Sequence, residues 1–186
     1  GYRIKLLGIA RLTESGVEQR VHPCLVPKTA PIAAVDGVFN AVVAEGDFVQ
    51  RVLFVGRGAG EGPTASAVVA DLIDIARGVS IPTFGVPVEK LSKLPPAAMA
   101  ARRGAYYVRL TVVDRPGVIA EIAADMRDNN VSMEQFIQRG RAPGEAVPVV
   151  LTTHATDEAS MQQALACIAA RDAVTEPPRM IRIEQF

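Results

Sequence analysis

The sequence predicts an α+β protein in two parts: a partial, mostly antiparallel sheet with a closing helix, then a ferredoxin-like β-α-β-β-α-β unit. Three observations predict it. Residues 1–55 hold four strand-like runs separated by turn residues. A glycine loop, Gly56-Arg57-Gly58-Ala59-Gly60-Glu61-Gly62, converts the last run directly into a helix. From Ala105 onward the order is strand, helix, strand, strand, helix, strand, the pattern of two helices on one face of a four-stranded sheet.

Taken in order, Tyr2, Ile4 and Leu6 alternate with Arg3 and Lys5, which argues a strand with one wet face. Thr13-Glu14-Ser15-Gly16 is turn material, and Val17, Gln19 and Val21 continue as a hairpin partner until Pro23. A loop from Pro27 to Pro31 precedes one helical turn at Ile32–Val35. Two further strands, about Val38–Ala44 and Phe48–Val55, meet at Glu45-Gly46-Asp47. Pro63 and Thr64 supply a helix start, and Val68, Leu72 and Ile75 recur on one helical face until Arg77 and a capping Gly78. A segment of about 80 residues buries only a modest core. Exposed apolar surface on the helix Thr64–Arg77 is therefore expected, with self-association as its consequence.

Pro82, Pro87, Pro95 and Pro96 make residues 79–104 read as an extended linker, with a short helix possible over Ala97–Arg103. Tyr106–Val113 is the next strand, and Asp114-Arg115-Pro116-Gly117 turns it into a helix carrying Ile119, Ile122, Ala123 and Met126. Ser132–Arg139 and Val147–His154 are the middle strands, parted by Gly140-Arg141-Ala142-Pro143-Gly144. Thr156 and Asp157 cap a second helix bearing Met161, Ala164, Leu165 and Ile168, and Met180–Ile183 closes the sheet.

A strand, a glycine loop and a helix in succession form a contact point for an anion or nucleotide, because glycine lets a ligand touch the backbone and helix-terminal amides point at it. The dinucleotide fingerprint G-x-G-x-x-G fails here, since Glu61 stands where its last glycine belongs, and no acid-ending strand follows. Judged alone, the loop also fits a tight turn with no ligand. The run from Gly56 through Pro63-Thr64-Ala65-Ser66-Ala67-Val68-Val69-Ala70-Asp71-Leu72 nevertheless resembles the closing loop and helix of homoserine dehydrogenase. Gly1–Ala10, His22-Pro23-Cys24-Leu25-Val26-Pro27 and Val38-Phe39-Asn40-Ala41-Val42 agree with it. The resemblance implies that residues 1–78 end a catalytic and dimerisation region, and that Gly60 contacts an NADP or NAD cofactor with Gly58, Ala59 and Thr64 as near neighbours. The nucleotide fingerprint, the substrate-binding acids and the proton-relay lysine would lie upstream, so no catalytic residue is assigned. Lys5 and Lys28 read as solvated surface residues.

Leu110-Thr111-Val112-Val113-Asp114-Arg115-Pro116-Gly117-Val118-Ile119-Ala120-Glu121-Ile122-Ala123 with Asn130-Val131-Ser132-Met133-Glu134 resembles an ACT domain, a module that senses amino acids and pairs with a copy of itself. Residues 105–186 are read as that domain. The resemblance implies an amino-acid effector site at Asp114, Arg115, Pro116, Gly117, Val118 and Ser132. Amides at the helix start suit the effector's carboxylate, and the Asp114 carboxylate suits its ammonium group. Asp114 also fits a plain helix cap. Threonine is the expected effector, and a homo-oligomer, dimer or tetramer, the expected assembly.

Twenty basic and twenty acidic side chains cancel, which removes any electrostatic case for nucleic acid or an anionic membrane surface. No apolar run approaches membrane-spanning length, no signal peptide is visible, and Cys24 and Cys167 are widely separated. A cytoplasmic protein with free thiols is expected. His22 and His154 have no sequence neighbours at metal spacing, so no metal is assigned. Two functions remain open: part of a homoserine dehydrogenase, inactive by itself, or a stand-alone sensing or oligomerisation module.

Overall fold

A computed structural model describes residues 1–140 and 142–186, so Arg141 of the expected 140–144 turn lies outside the described residues. The strands are β1 (Tyr2–Thr13), β2 (Gly16–Pro27), β3 (Phe39–Gly46), β4 (Gln50–Arg57), β5 (Arg103–Val113), β6 (Met133–Gln138), β7 (Ala146–Thr153), β8 (Thr156–Asp157) and β9 (Arg179–Ile183). The helices are α1 (Glu61–Ala76), α2 (Val118–Asp128) and α3 (Glu158–Ala169), with 3-10 turns at Pro31–Ala34, Val88–Lys90 and Met99–Ala101. The α+β class stands. Two compact units form, Gly1–Pro27 with Pro95–Phe186, and Lys28–Leu94.

In the first unit the sheet order is β1-β2-β9-β5-β7-β6, with β8 pairing the start of β5. The four strands β9-β5-β7-β6 are the ferredoxin-like set, and α2 and α3 complete it. Its core follows from strand alternation: Tyr106, Val108, Leu110 and Val112 of β5 point to one face and are almost fully buried. Val147, Val149 and Leu151 of β7 join them, as do Val118, Ile122 and Met126 of α2 and Met161, Ala164, Leu165 and Ile168 of α3. Each of the Val, Leu, Ile and Met side chains among them contributes roughly 1.5–3 kcal/mol by leaving water.

The first hairpin extends this sheet, which the sequence reading did not foresee. Strand β2 runs parallel to β9 through Cys24 opposite Arg182 and Leu25 opposite Ile183. The segments 1–78, 79–104 and 105–186 read from sequence are therefore cut across by the compact units. Residues 95–104 are likewise tied down rather than free, since Val17 donates to the Pro95 carbonyl and Ala97 to the Val17 carbonyl, each at 2.9 Å.

Hairpin register also reverses the expected wet face of β1. Lys5 pairs with Cys24 and Leu7 with His22, placing them on the face that β2 buries through Glu18, Arg20, Cys24 and Val26. Lys5 is half-buried as a result, whereas Ile4 and Leu6 are 62% and 71% exposed. Lys28 is exposed as expected.

In the second unit β3 and β4 form a separate antiparallel pair, so the first four strands make two hairpins rather than one sheet. Helix α1 begins at Glu61, three residues before the expected Thr64. Proline at Pro63 does not stop it, because a first-turn residue has no intrahelical partner for its N–H. The expected C-cap forms: Gly78 (φ 72°) donates to Ile75 and Val79 to Asp74, at 3.0 and 2.9 Å. No residue of α1 is buried, in line with the expected exposed apolar face.

Candidate cofactor and effector sites

The β4–α1 junction belongs to the second unit. Arg57, the last residue of β4, lies over the Phe39 ring across the hairpin, 5.5 Å from its centroid. Asn40 is the next residue along β3, and a Cβ added to Gly58 would collide with its side-chain amide. Gly60 is the N-cap of α1 at φ 118°, a conformation that L side chains rarely adopt. Thr64 donates to the Gly60 carbonyl at 3.1 Å, closing the first helical turn, and no side chain caps the helix. Gly58, Ala59, Gly60 and Thr64 are thus gathered on one short, exposed loop and helix start. Asn40 is the residue there to which sequence reasoning gave no role, and strand pairing alone brings it to the loop.

At the effector site, Asp114 does not cap α2. The N-cap is Gly117, left-handed at φ 95°, and Asp114 instead receives Ala142 N–H at 2.8 Å and Gln138 Nε2 at 3.3 Å on its two carboxylate oxygens. Its backbone is pinned too, donating to Glu145 and accepting from Gly144. Arg115, Pro116 and Gly117 are exposed and Val118 is buried beneath them. Ser132 is not brought to this cluster within one chain. It sits at the opposite end of the sheet, accepting from His154 at the end of β7, whereas Asp114 lies beside Glu145 at the start of β7. The β6 residue beside Asp114 is Gln138, a position that strand direction alone identifies.

Where the first hairpin meets the ferredoxin-like unit, charged side chains form a buried chain. Glu184 accepts both 2.9 Å hydrogen bonds of the Arg20 Nη2 and a 2.7 Å bond from Arg102 Nη2. Arg102 also donates from Nη1 to the Tyr106 hydroxyl at 3.0 Å, and Tyr106 donates to Glu158 at 3.0 Å. Arg182 grips Glu158 through Nε at 2.9 Å and through Nη2. Glu18 contacts the other side of Arg20. Three acids face three arginines, so the charge is balanced where water cannot screen it.

Burial and the Glu158 charge push the Tyr106 phenol up to about 12, against the pull of Arg102. For Glu158 burial acts to raise the carboxyl. The hydrogen bonds from Arg182 and Gln162 outweigh it and hold the group below its ordinary value.

This corner also corrects the reading that His22 has no ligand-type neighbours. His22, Cys24 and Glu184 bring their donor atoms within 4.8 Å of one another, with His22 Nδ1 3.2 Å from Cys24 Sγ. The set nonetheless suits a cation poorly. Glu184 is already claimed by two guanidiniums, which repel positive charge. Cys24 is pushed up to about 11, by burial first and the Glu184 charge second, so its thiol keeps its proton. His22 is held below its ordinary value mainly by burial.

Two fold-level features define the class: a ferredoxin-like unit with a structured loop at the β5–α2 turn, and a glycine-capped strand-to-helix junction ahead of it. Residues 106–173 match the ACT domain family and residues 1–73 match the homoserine dehydrogenase family. The chain thus carries two matched stretches, one similar to the homoserine dehydrogenase family and one to the ACT domain family. All of it aligns with homoserine dehydrogenases of Neisseria gonorrhoeae at 45% identity and Pseudomonas aeruginosa at 41%. In each case it spans 44% of the relative's length. A crystal structure of a homoserine dehydrogenase from Thiobacillus denitrificans superposes with TM-score 0.88 at 46% identity, covering 99% of this chain and 43% of that one. The Staphylococcus aureus homoserine dehydrogenase, at 22% identity and TM-score 0.66, shares the fold.

Proposed function

We propose that this chain is the C-terminal part of a homoserine dehydrogenase. In this reading residues 1–78 end the catalytic and dimerisation region, 79–104 connect, and 105–186 are a regulatory amino-acid-binding domain. The intact enzyme would interconvert L-homoserine and L-aspartate 4-semialdehyde, on the way to threonine and methionine. Bound NADP or NAD supplies the redox chemistry. The residues of this chain position it.

The observation that carries the reading is the β4–Gly60–α1 junction. Gly60 removes the side chain where the cofactor approaches and, at φ 118°, aims the uncapped first turn of α1 outward. Gly58, packed under Asn40, fixes the loop, with Ala59 and Thr64 beside it. Replacing Gly60 with valine in the intact enzyme is expected to raise the KM for the nucleotide by about 10-fold or more, consistent with a loss of at least 1.4 kcal/mol of binding. The KM for homoserine should move much less. Purified alone, this chain should not reduce NADP in the presence of homoserine. Turnover by the chain alone would sink the proposal.

The effector reading rests on Asp114–Val118. Asp114 shapes the site by pinning the β6–β7 loop, and the α2 start offers amides to a carboxylate. The free edge of β6 suits pairing with a second copy, and antiparallel pairing there would bring Ser132 of one chain toward the Asp114 loop of its partner. Calorimetric titration of the intact enzyme with L-threonine, L-methionine and L-isoleucine tests it. Saturable heat with threonine, lost in Asp114→Ala, is expected, and silence with all three would refute amino-acid sensing.

A further inference from the structure

We propose that Glu184, held by Arg20 and Arg102, is the node through which the ACT domain acts on the first hairpin, making it a positioning residue for regulation of the enzyme. The inference rests on the effector reading above.

The backbone contribution to this junction is slight. Strands β2 and β9 share two residue pairs, and one further bond runs from Glu184 N–H to the Leu25 carbonyl at 2.9 Å. Val17 adds two backbone bonds at the far end of β2, to Pro95 and Ala97, and side chains fasten the end beside β9. Glu184 follows β9, Arg20 lies on β2, and Arg102 precedes β5, so one carboxylate ties three separate segments together. From Arg102 the chain continues through Tyr106 of β5 to Glu158 at the first turn of α3, and returns to β9 through Arg182. Every member but Arg182 is buried.

Such a chain does not loosen gradually. Withdrawing one partner leaves its neighbours charged and unpaired in a low-dielectric setting. The hairpin therefore moves with β5, β9 and α3, or separates from them altogether. This supplies the two-arrangement element that coupling between distant sites requires.

Strand β5 provides the link to the effector. It runs unbroken from Arg103 to Val113, with the ion chain at one end and Asp114 at the other, a span of about 30 Å at strand rise. Its inward side chains are locked into the core throughout. A tilt of β5 imposed at the Asp114 loop is transmitted to Arg102 and Tyr106 rather than absorbed on the way. The hairpin that receives it lies in the stretch matching the homoserine dehydrogenase family.

The test uses the intact enzyme with Glu184→Gln and Tyr106→Phe. Phenylalanine preserves the ring in the core while removing the hydroxyl bridge, so it remains informative if the Glu184 variant folds poorly. Three quantities are read: uninhibited kcat and KM, threonine binding by calorimetry, and the threonine concentration giving half-inhibition. We expect uninhibited kcat and threonine binding to change by less than about 3-fold, while inhibition is lost or its midpoint rises by about 10-fold or more, the range of typical coupling. Inhibition unchanged in both variants would overturn the proposal. So would parallel loss of binding and inhibition, which marks a purely structural role. Failure of the wild-type enzyme to bind any of the three amino acids sinks the effector reading itself, and is recognisable because it appears before any substitution.

Discussion

Tyr106 accepts a hydrogen bond from Arg102 and donates one to Glu158 while its ring fills the core, so one residue serves both the apolar and the ionic interior. Tyr106→Phe keeps the ring and leaves two buried charged groups each short of a partner. Chemical denaturation should show a loss of about 1–3 kcal/mol, and an unchanged midpoint would mean that water replaces the hydroxyl.

Cys24 gives a separate alkaline signature. Its thiol shifts from 9.0 to about 11, so the folded state keeps the proton that the unfolded chain releases. That contribution is fully present below pH 9.0 and disappears as pH rises through about 11. Cys24→Ala should flatten the fall of Tm across this window, whatever it does to stability at neutral pH. Glu158 acts with opposite sign. Its carboxyl is depressed, so its contribution is present above its ordinary 4.5 and is lost as pH falls through the folded value. None of these pairings was legible in the sequence, because the partners come from positions as far apart as 20 and 184.

At the scale of elements, local chemistry sets the boundaries. Helix α2 starts on a left-handed Gly117 and ends on a left-handed Asn130 (φ 58°), after which Val131 donates to the Met126 carbonyl at 2.8 Å. A Cβ on Gly117 would meet nothing within 4 Å, so Gly117→Ala isolates the backbone cost, about 1–2 kcal/mol of Tm-derived stability. A null effect would mean that the turn relaxes to a different conformation.

Strands and helices were readable because their periodicity is local, and the errors are equally local. The expected α1 start at Thr64 is late because Pro63 reads as a start signal, whereas proline is the third residue of the helix. Sequence order does not reveal which end of β6 reaches Asp114 within one chain; the ladder with β7 brings Gln138 there and leaves Ser132 at the other end.

At the scale of the whole molecule, the apolar surface is distributed unevenly. Val68, Val69, Leu72, Ile73 and Ile75 of α1 are all 43–71% exposed in a helix that buries none of its residues. Exposed apolar area of this kind drives association. The chain by itself should therefore show a concentration-dependent sedimentation coefficient. Leu72→Lys should reduce that dependence without lowering helicity, and an equal dependence in the variant would locate the sticky surface elsewhere. Among the described residues no helix is long and apolar enough to cross a membrane.

Periodicity, turn residues and caps determined the class, the order of elements and the ferredoxin-like set, since each is written within a few neighbouring positions. The Gly58–Gly60 loop and the Asp114–Val118 turn were legible for the same reason: each is a contiguous run. Tertiary structure decided what pairing and burial decide. The first hairpin joined the ferredoxin-like sheet, Lys5 turned inward by register, and Asp114 spent its carboxylate on Gln138 and Ala142. Glu184, unremarkable as the third residue from the end, became the meeting point of two buried arginines. The physical reason is common to all of them. Hydrogen bonds and ion pairs act over a few ångströms of space, and only the folded chain determines which distant residues come that close.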